Sequence, residues 1–160
     1  IPKFRETDGI YINDIPISEI KNKDYLRKVS YYSQNTPIIT DTLYNNLNFG
    51  RKKVSKAIYE AMPFLAKFIN LDEMIVENGA NLSGGDKQRI ALSRYFTEDA
   101  DIVILDEPTS SLDKETEEEL MKEILKDTKD KIVFIISHNK EIMKYCSHLV
   151  EIKNKTATVL

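Results

Sequence analysis

The chain has 160 residues, 41% hydrophobic and 31% charged, with a formal net charge of -3. That length is one domain or part of one, with room for a substantial core, and the balance of apolar and charged residues is that of a globular fold. The slightly acidic charge gives no general pull toward nucleic acid or anionic lipid, the single Cys146 excludes an intrachain disulfide, and no apolar run approaches the roughly 20 residues that span a bilayer.

The opening "IPKFRETDG" has neither an initiator Met nor a signal-peptide pattern and reads as the interior of a longer chain. "GIYIN" (Gly9 to Asn13) and "VSYYSQ" (Val29 to Gln34) predict short strands, rich in β-branched and aromatic residues. "NTPIITDTLYNNLNFG" is punctuated by Pro37, several Asn and Gly50, which predicts mostly loop with one helical turn. From Val54 to Ile69 the apolar residues Val54, Ala57, Ile58, Ala61, Met62, Leu65, Phe68 and Ile69 follow helical spacing, with a kink or break at Pro63.

The second half is more regular. "DIVILD" (Asp101 to Asp106) is a continuous apolar run, as expected of a strand buried on both faces. "KETEEELMKEILKDT" predicts an amphipathic helix with Leu120, Met121, Ile124 and Leu125 inward and Asp113 as N-cap. "KIVFIIS" (Lys131 to Ser137) predicts a second buried strand, parallel to the first. "HLVEI" and "KTATVL" predict a closing hairpin around Asn154-Lys155. The class is α/β, with a helical insert between about Arg51 and Thr97.

Two stretches carry the chemistry. In "NLSGGDKQRIALSRYF" a Ser and two glycines open a helix, although Gly costs about 1 kcal/mol relative to Ala inside one. One explanation is a helix start with Ser83 as N-cap and Asp86 closing a capping-box-like pair. The other is that side-chain-free backbone lets the helix N-terminus approach an anion closely. The second stretch is "ILDEP", where Asp106 and Glu107 end an apolar strand. In open parallel sheets ligands bind beyond such strand ends. One carboxylate there can hold a hydrated Mg²⁺ while the next orients or deprotonates a water. "IISHN" brings His138 to the same sheet edge, where it can meet a phosphate or an attacking water.

Taken in order, "VSYYSQ", "LSGGDKQRIALSRYF", "DIVILDEPTSSLD" and "IVFIISHN" closely resemble the motifs of an ABC ATPase nucleotide-binding domain, of the exporter type. The resemblance covers essentially the whole chain. It implies a P-loop NTPase (RecA-like) core with a parallel sheet and a helical signature subdomain. Residues 1–50 would be partial core with the Q-loop, 51–97 the helical subdomain with the signature, and 98–160 the core with Walker B, D-loop and switch histidine.

By that resemblance Gln34 reaches Mg²⁺ and the attacking water, Asp106 holds Mg²⁺ through water, Glu107 is the general base, and His138 contacts the γ-phosphate of ATP. Ser83, Gly84 and Gly85 present the signature to the ATP bound by a second ATPase domain in a head-to-tail dimer, and Asp113 communicates across that dimer. The further partners implied are transmembrane domains of a transporter, at the cytoplasmic face of the cell membrane, with no nucleic acid. The alternative of another class is an ABC ATPase without a transporter, acting on DNA or ribosomes. Such relatives carry coiled coils or basic linkers that this chain does not show.

Two departures stand out. Asp86 replaces the usual Gln after the glycines, so it is expected either to face away from the triphosphate or to lower the affinity of the closed state. No G-x-x-x-x-G-K-[ST] occurs in these residues, so the P-loop strand and helix are expected to lie outside this chain. The missing strand is expected to leave an uncovered apolar edge and face beside the Walker B strand. Lacking a P-loop cradle, the 160-residue chain alone is expected to bind Mg·ATP weakly or not at all and to hydrolyse none. Calorimetric titration with Mg·ATP checks this, and micromolar one-to-one binding would overturn it.

Overall fold

The computed structural model describes residues 9–33, 36–49, 55–60, 62, 65, 67–68, 70–96, 100–128 and 130–160. Its centre is the apolar run of the second half. Strand β6 (Ile102–Asp106) pairs in parallel with β3 (Val29–Tyr32) on one side and with β7 (Ile132–Ile136) on the other. The β6–β7 register sets Val103 beside Val133 and Asp106 beside Ile136, so both strands end at one level. Val103 and Leu105 are fully buried and Ile104 nearly so, which is why an unbroken apolar sequence was needed here.

Helix α5 (Lys114–Asp127) crosses from β6 to β7. Asp113 caps it, accepting from the Thr116 N–H at 3.0 Å, as the sequence predicted. Its buried stripe is Thr116, Glu117, Leu120, Met121 and Ile124, with the C-cap Thr128 also buried. Leu125, expected to face inward, is instead 44% exposed, because it lies one step of the helical wheel beyond that stripe. The second correction concerns β7, expected to be buried. It alternates: Ile132, Phe134 and Ile136 are more than half exposed, while Val133 and Ile135 pack against the core. An outer strand with one covered face shows this period-two pattern.

The expected uncovered edge beside β6 is also not found. Both edges of β6 are paired, and the exposed apolar side chains lie one strand over, on β7. The closing hairpin is as predicted: β8 (Val150–Lys153) pairs antiparallel with β9 (Thr156–Val159). Asn154 and Lys155 turn with φ of 49° and 63°, as a two-residue hairpin of matching twist requires.

The first half holds elements that the sequence left unread. The predicted strand at 9–13 is β1 (Tyr11–Ile12), which pairs with β2 (Ile15–Pro16). Asn13 and Asp14 form a left-handed turn between them. Helix α1 (Asn22–Lys28) then leads straight into β3. The segment expected to be mostly loop carries β4 (Asp41–Thr42) and one short helix, α2 (Leu43–Leu47). β4 pairs antiparallel with β5 (Met74–Ile75) of the helical insert.

Within that insert α3 (Lys56–Glu60) buries Tyr59 and leaves Ile58 45% exposed. Val54, Ala61, Ile69 and the expected break at Pro63 lie outside the described residues. Helix α4 (Gly84–Phe96) packs beneath α2 and β3, sending Ile90, Leu92 and Tyr95 into the core.

Asn46 in α2 is fully buried and does what a turn-former in sequence does not advertise. Its side-chain N–H groups donate to the carbonyls of Ile39 (2.9 Å) and Thr42 (3.1 Å), and its oxygen accepts from the Ile39 N–H at 2.8 Å. Removing it leaves part-buried backbone groups of Ile39 and Thr42 without these bonds, each worth about 1–3 kcal/mol. Asn46→Ala is therefore expected to destabilise the protein by about 3 kcal/mol, and Asn46→Asp to fail to restore it because a carboxylate cannot donate. Chemical denaturation of the two variants measures this.

Candidate functional site

The sheet delivers its acids where the ladder stops. Asp106, the last residue of β6, accepts a hydrogen bond at Oδ2 from the Tyr31 hydroxyl of β3 at 3.0 Å. Glu107 follows with φ of 50°, a left-handed backbone that costs a non-glycine residue about 1 kcal/mol. Its N–H donates to the Ile136 carbonyl at 2.9 Å, which extends the β6–β7 pairing into the turn.

The turn swings the Glu107 carboxylate toward the end of β7. There Oε1 accepts from the His138 N–H at 3.0 Å and Oε2 from the Ser137 hydroxyl at 3.4 Å. The His138 ring lies 3.7 Å from Oε1 at Nε2 and is fully exposed, while the Glu107 side chain is 20% exposed. Asp106, Glu107 and His138 thus meet at one edge, as the sequence predicted. Gln34 lies outside the described residues.

The helix opening has a definite local cause. Ser83 and Asp86 form a reciprocal capping box: the Asp86 N–H donates to Ser83 Oγ at 3.2 Å, and the Ser83 N–H donates to Asp86 Oδ2 at 3.1 Å. The Asp86 carboxylate also pairs with Lys67 of the insert and with Arg89 one turn on. Burial alone would raise its pKa, but the Lys67 ammonium and the Ser83 donors outweigh that and hold the carboxyl below the usual carboxylate range.

The two glycines differ. A Cβ on Gly84 would meet only ordinary contacts with Ser111, but one on Gly85 would stand 3.1 Å from the Ser111 carbonyl oxygen. Gly85 therefore admits the chain's own 110–112 loop, a reason for glycine that the anion argument did not include.

Asp113 is brought close to this opening as the cap of α5. Its carboxyl is held low chiefly by the Thr116 backbone N–H and hydroxyl. Arg89 joins the two helix starts, donating to Thr116 Oγ1 at 2.6 Å. Two residues of α4 were missed in the sequence. Gln88 is buried beneath the Glu107 turn, and Arg94 is buried with its guanidinium donating to the carbonyls of Asn46 (2.8 Å) and Pro37 (3.0 Å). The signal for both was polar side chains falling on the apolar face of a helix.

An α/β core with paired acids at a parallel strand end, beside a glycine-opened helix, is that of a nucleotide-binding domain of the P-loop NTPase fold. Residues 3–110 match the ABC transporter family, and the chain belongs to that family.

The chain is 35% identical over 153 residues to an ATP-dependent lipid A-core flippase 2 of Colwellia psychrerythraea, covering 90% of this chain and 26% of that protein. It is 36% identical over 155 residues to an ATP-dependent lipid A-core flippase of Wigglesworthia glossinidia brevipalpis, covering 90% and 27%. The fold matches a bacterial Atm1-family ABC exporter with ATP bound at a TM-score of 0.79, with 24% identity over 88% of this chain and 26% of that one. The chain thus spans about a quarter of the length of the relatives it matches.

The capping box generates a pH-dependent test. A carboxylate with a depressed folded-state pKa contributes stability that is present above its unfolded value, near 4, and is lost as pH falls through the folded value. Asp86→Asn is expected to lower stability by about 1 kcal/mol at pH 7 and to converge with the parent protein below about pH 4. Thermal melts of the two proteins across pH 7 to 2.5 would show the gap closing.

Proposed function

We propose that this chain is the ATP-binding and ATP-hydrolysing portion of an ABC exporter. ATP draws it into a head-to-tail pair with a second ATPase domain, and hydrolysis releases that pair, moving attached transmembrane domains at the cytoplasmic face of the membrane. The observation that carries the reading is the convergence of Asp106, Glu107 and His138 at the carboxyl edge of the parallel sheet. The relatives named above favour the exporter over an ATPase acting on DNA or ribosomes. Among the described residues no helix is long and apolar enough to cross a membrane, so the transmembrane partners are assigned to other sequence.

The residues present fit a Mg²⁺ that is mostly held by others. No group of three or more His, Cys, Asp or Glu among the described residues could cage a metal. One half-buried strand-end carboxylate, Asp106, suits an ion that keeps several waters and takes further ligands from phosphates. Gln34 is assigned as a second contact. Bound Mg·ATP supplies the electrophilic γ-phosphorus and neutralises charge on the phosphates.

Glu107 then has one task, to take a proton from the attacking water at its carboxylate. The His138 N–H and Ser137 hydroxyl orient that carboxylate beforehand. The His138 ring, fully exposed and 3.7 Å from Glu107 Oε1 at Nε2, is placed to donate to the γ-phosphate. Ser83 offers its hydroxyl and the helix its N-terminal dipole to the nucleotide of the second domain. Asp113, held by its cap on α5, fixes the position of the 110–113 loop that faces the dimer seam.

Glu107→Gln in the full-length protein is expected to bind ATP normally, to lose about 10²–10⁴ in turnover and to accumulate closed dimer. Ser83→Arg is expected to do the reverse, preventing dimerisation while leaving ATP binding by the open form unchanged. Steady-state hydrolysis, nucleotide binding and size-exclusion analysis with ATP distinguish the two. Normal turnover by Glu107→Gln would remove Glu107 from the role of base.

A further inference from the structure

We infer that Gln88, on the signature helix, is a positioning residue for Glu107 of its own chain. The side chain is buried, with 5% exposed. Its Nε2 donates to the Glu107 carbonyl at 2.9 Å and to Ser110 Oγ at 3.3 Å, and its Oε1 accepts from the Ser111 N–H at 2.9 Å. One amide therefore clamps both ends of the turn that follows β6.

That turn needs a clamp. Glu107 sits in a left-handed conformation unusual for its residue type, and such strain persists only where the surroundings over-determine it. From the other side, the β7 end holds the Glu107 N–H and carboxylate. Gln88 holds the Glu107 carbonyl at 2.9 Å, which among the described residues otherwise accepts only a longer bond from the Ser110 N–H at 3.4 Å. Between them the peptide planes on both sides of the Glu107 Cα are fixed, and with them the direction of the carboxylate.

The helix face is shaped for this contact. Gly85 lies three residues before Gln88 on the same face, and the missing Cβ lets the 110–112 loop approach closely enough for the Ser111 N–H to reach the amide. A side chain of this length that both donates and accepts at its tip is met only by glutamine. Glutamate keeps the acceptor for Ser111 and loses the donor to Glu107, and methionine keeps the shape and loses both.

This inference rests on the reading of Glu107 as the proton acceptor. It is tested in the full-length protein with Gln88→Met, Gln88→Glu and, in parallel, Glu107→Gln. Gln88→Met is expected to lower kcat for ATP hydrolysis about 10- to 100-fold, the scale of a misplaced catalytic group. The KM for ATP should stay unchanged, and ATP should still drive closure of the dimer.

A merely structural role in the helix would instead damage the signature, so that dimerisation and KM would suffer along with kcat. That parallel loss, or wild-type turnover, overturns the inference. If Gln88→Met does not fold, Gln88→Glu is judged by the same two criteria. Normal turnover by Glu107→Gln would sink the underlying reading, whereas an inert Glu107→Gln beside a fully active Gln88→Met sinks this inference alone.

Discussion

Strand β6 is hydrogen-bonded along both edges and packed on both faces, so no polar side chain can leave it until its ladder ends. The first positions at which one can are Asp106 and Glu107. The parallel partner β7 ends at the same level, because register is fixed by the apolar pairs Val103–Val133 and Leu105–Ile135 behind them. The meeting of Glu107 with Ser137 and His138 at this edge is thus a consequence of core packing. A slip of one residue would turn every core side chain of β6 to the wrong face and carry the acids away from Ser137 and His138.

How much of this was legible follows from how local each cause is. β6, α5, the β8–β9 turn, the Asp113 cap and the Ser83–Asp86 box were readable because each is dictated by residues within a few positions of one another. β2, β4 and β5 are two-residue pairings whose partners stand far apart or follow a turn, and no periodicity builds up over two residues. Asn46, Gln88 and Arg94 wear the composition of loops and solvated helix faces. Only the tertiary neighbours, backbone carbonyls left without a ladder partner, reveal why a polar side chain belongs in the core. The exposure of β7 was misread for a related reason: an apolar run reports the residue types and not how many layers cover them.

The division expected from the sequence, a helical subdomain up to residue 97 and core beyond it, follows connectivity, whereas hydrogen bonds and packing run across it. Helix α4 belongs to the first by sequence, yet its opening turns are joined to 107–116 through Gly85, Gln88 and Arg89. At its very start the Asp86 carboxylate is already neutralised by Lys67 and Arg89, so replacing the usual Gln adds less negative potential at the helix mouth than its formal charge suggests.

The left-handed backbone at Glu107 filters the residues that can ever stand there. Val, Ile and Thr, whose branched Cβ resists a positive φ, are excluded by the backbone before any question of chemistry arises, while Gly, Asn and Asp fit it more easily than Glu does. Selection for folding alone would therefore drift this position toward glycine. On the role of base proposed for Glu107, conformational stability and chemical use pull in opposite directions at this position, and a search for more stable variants would return inactive ones first.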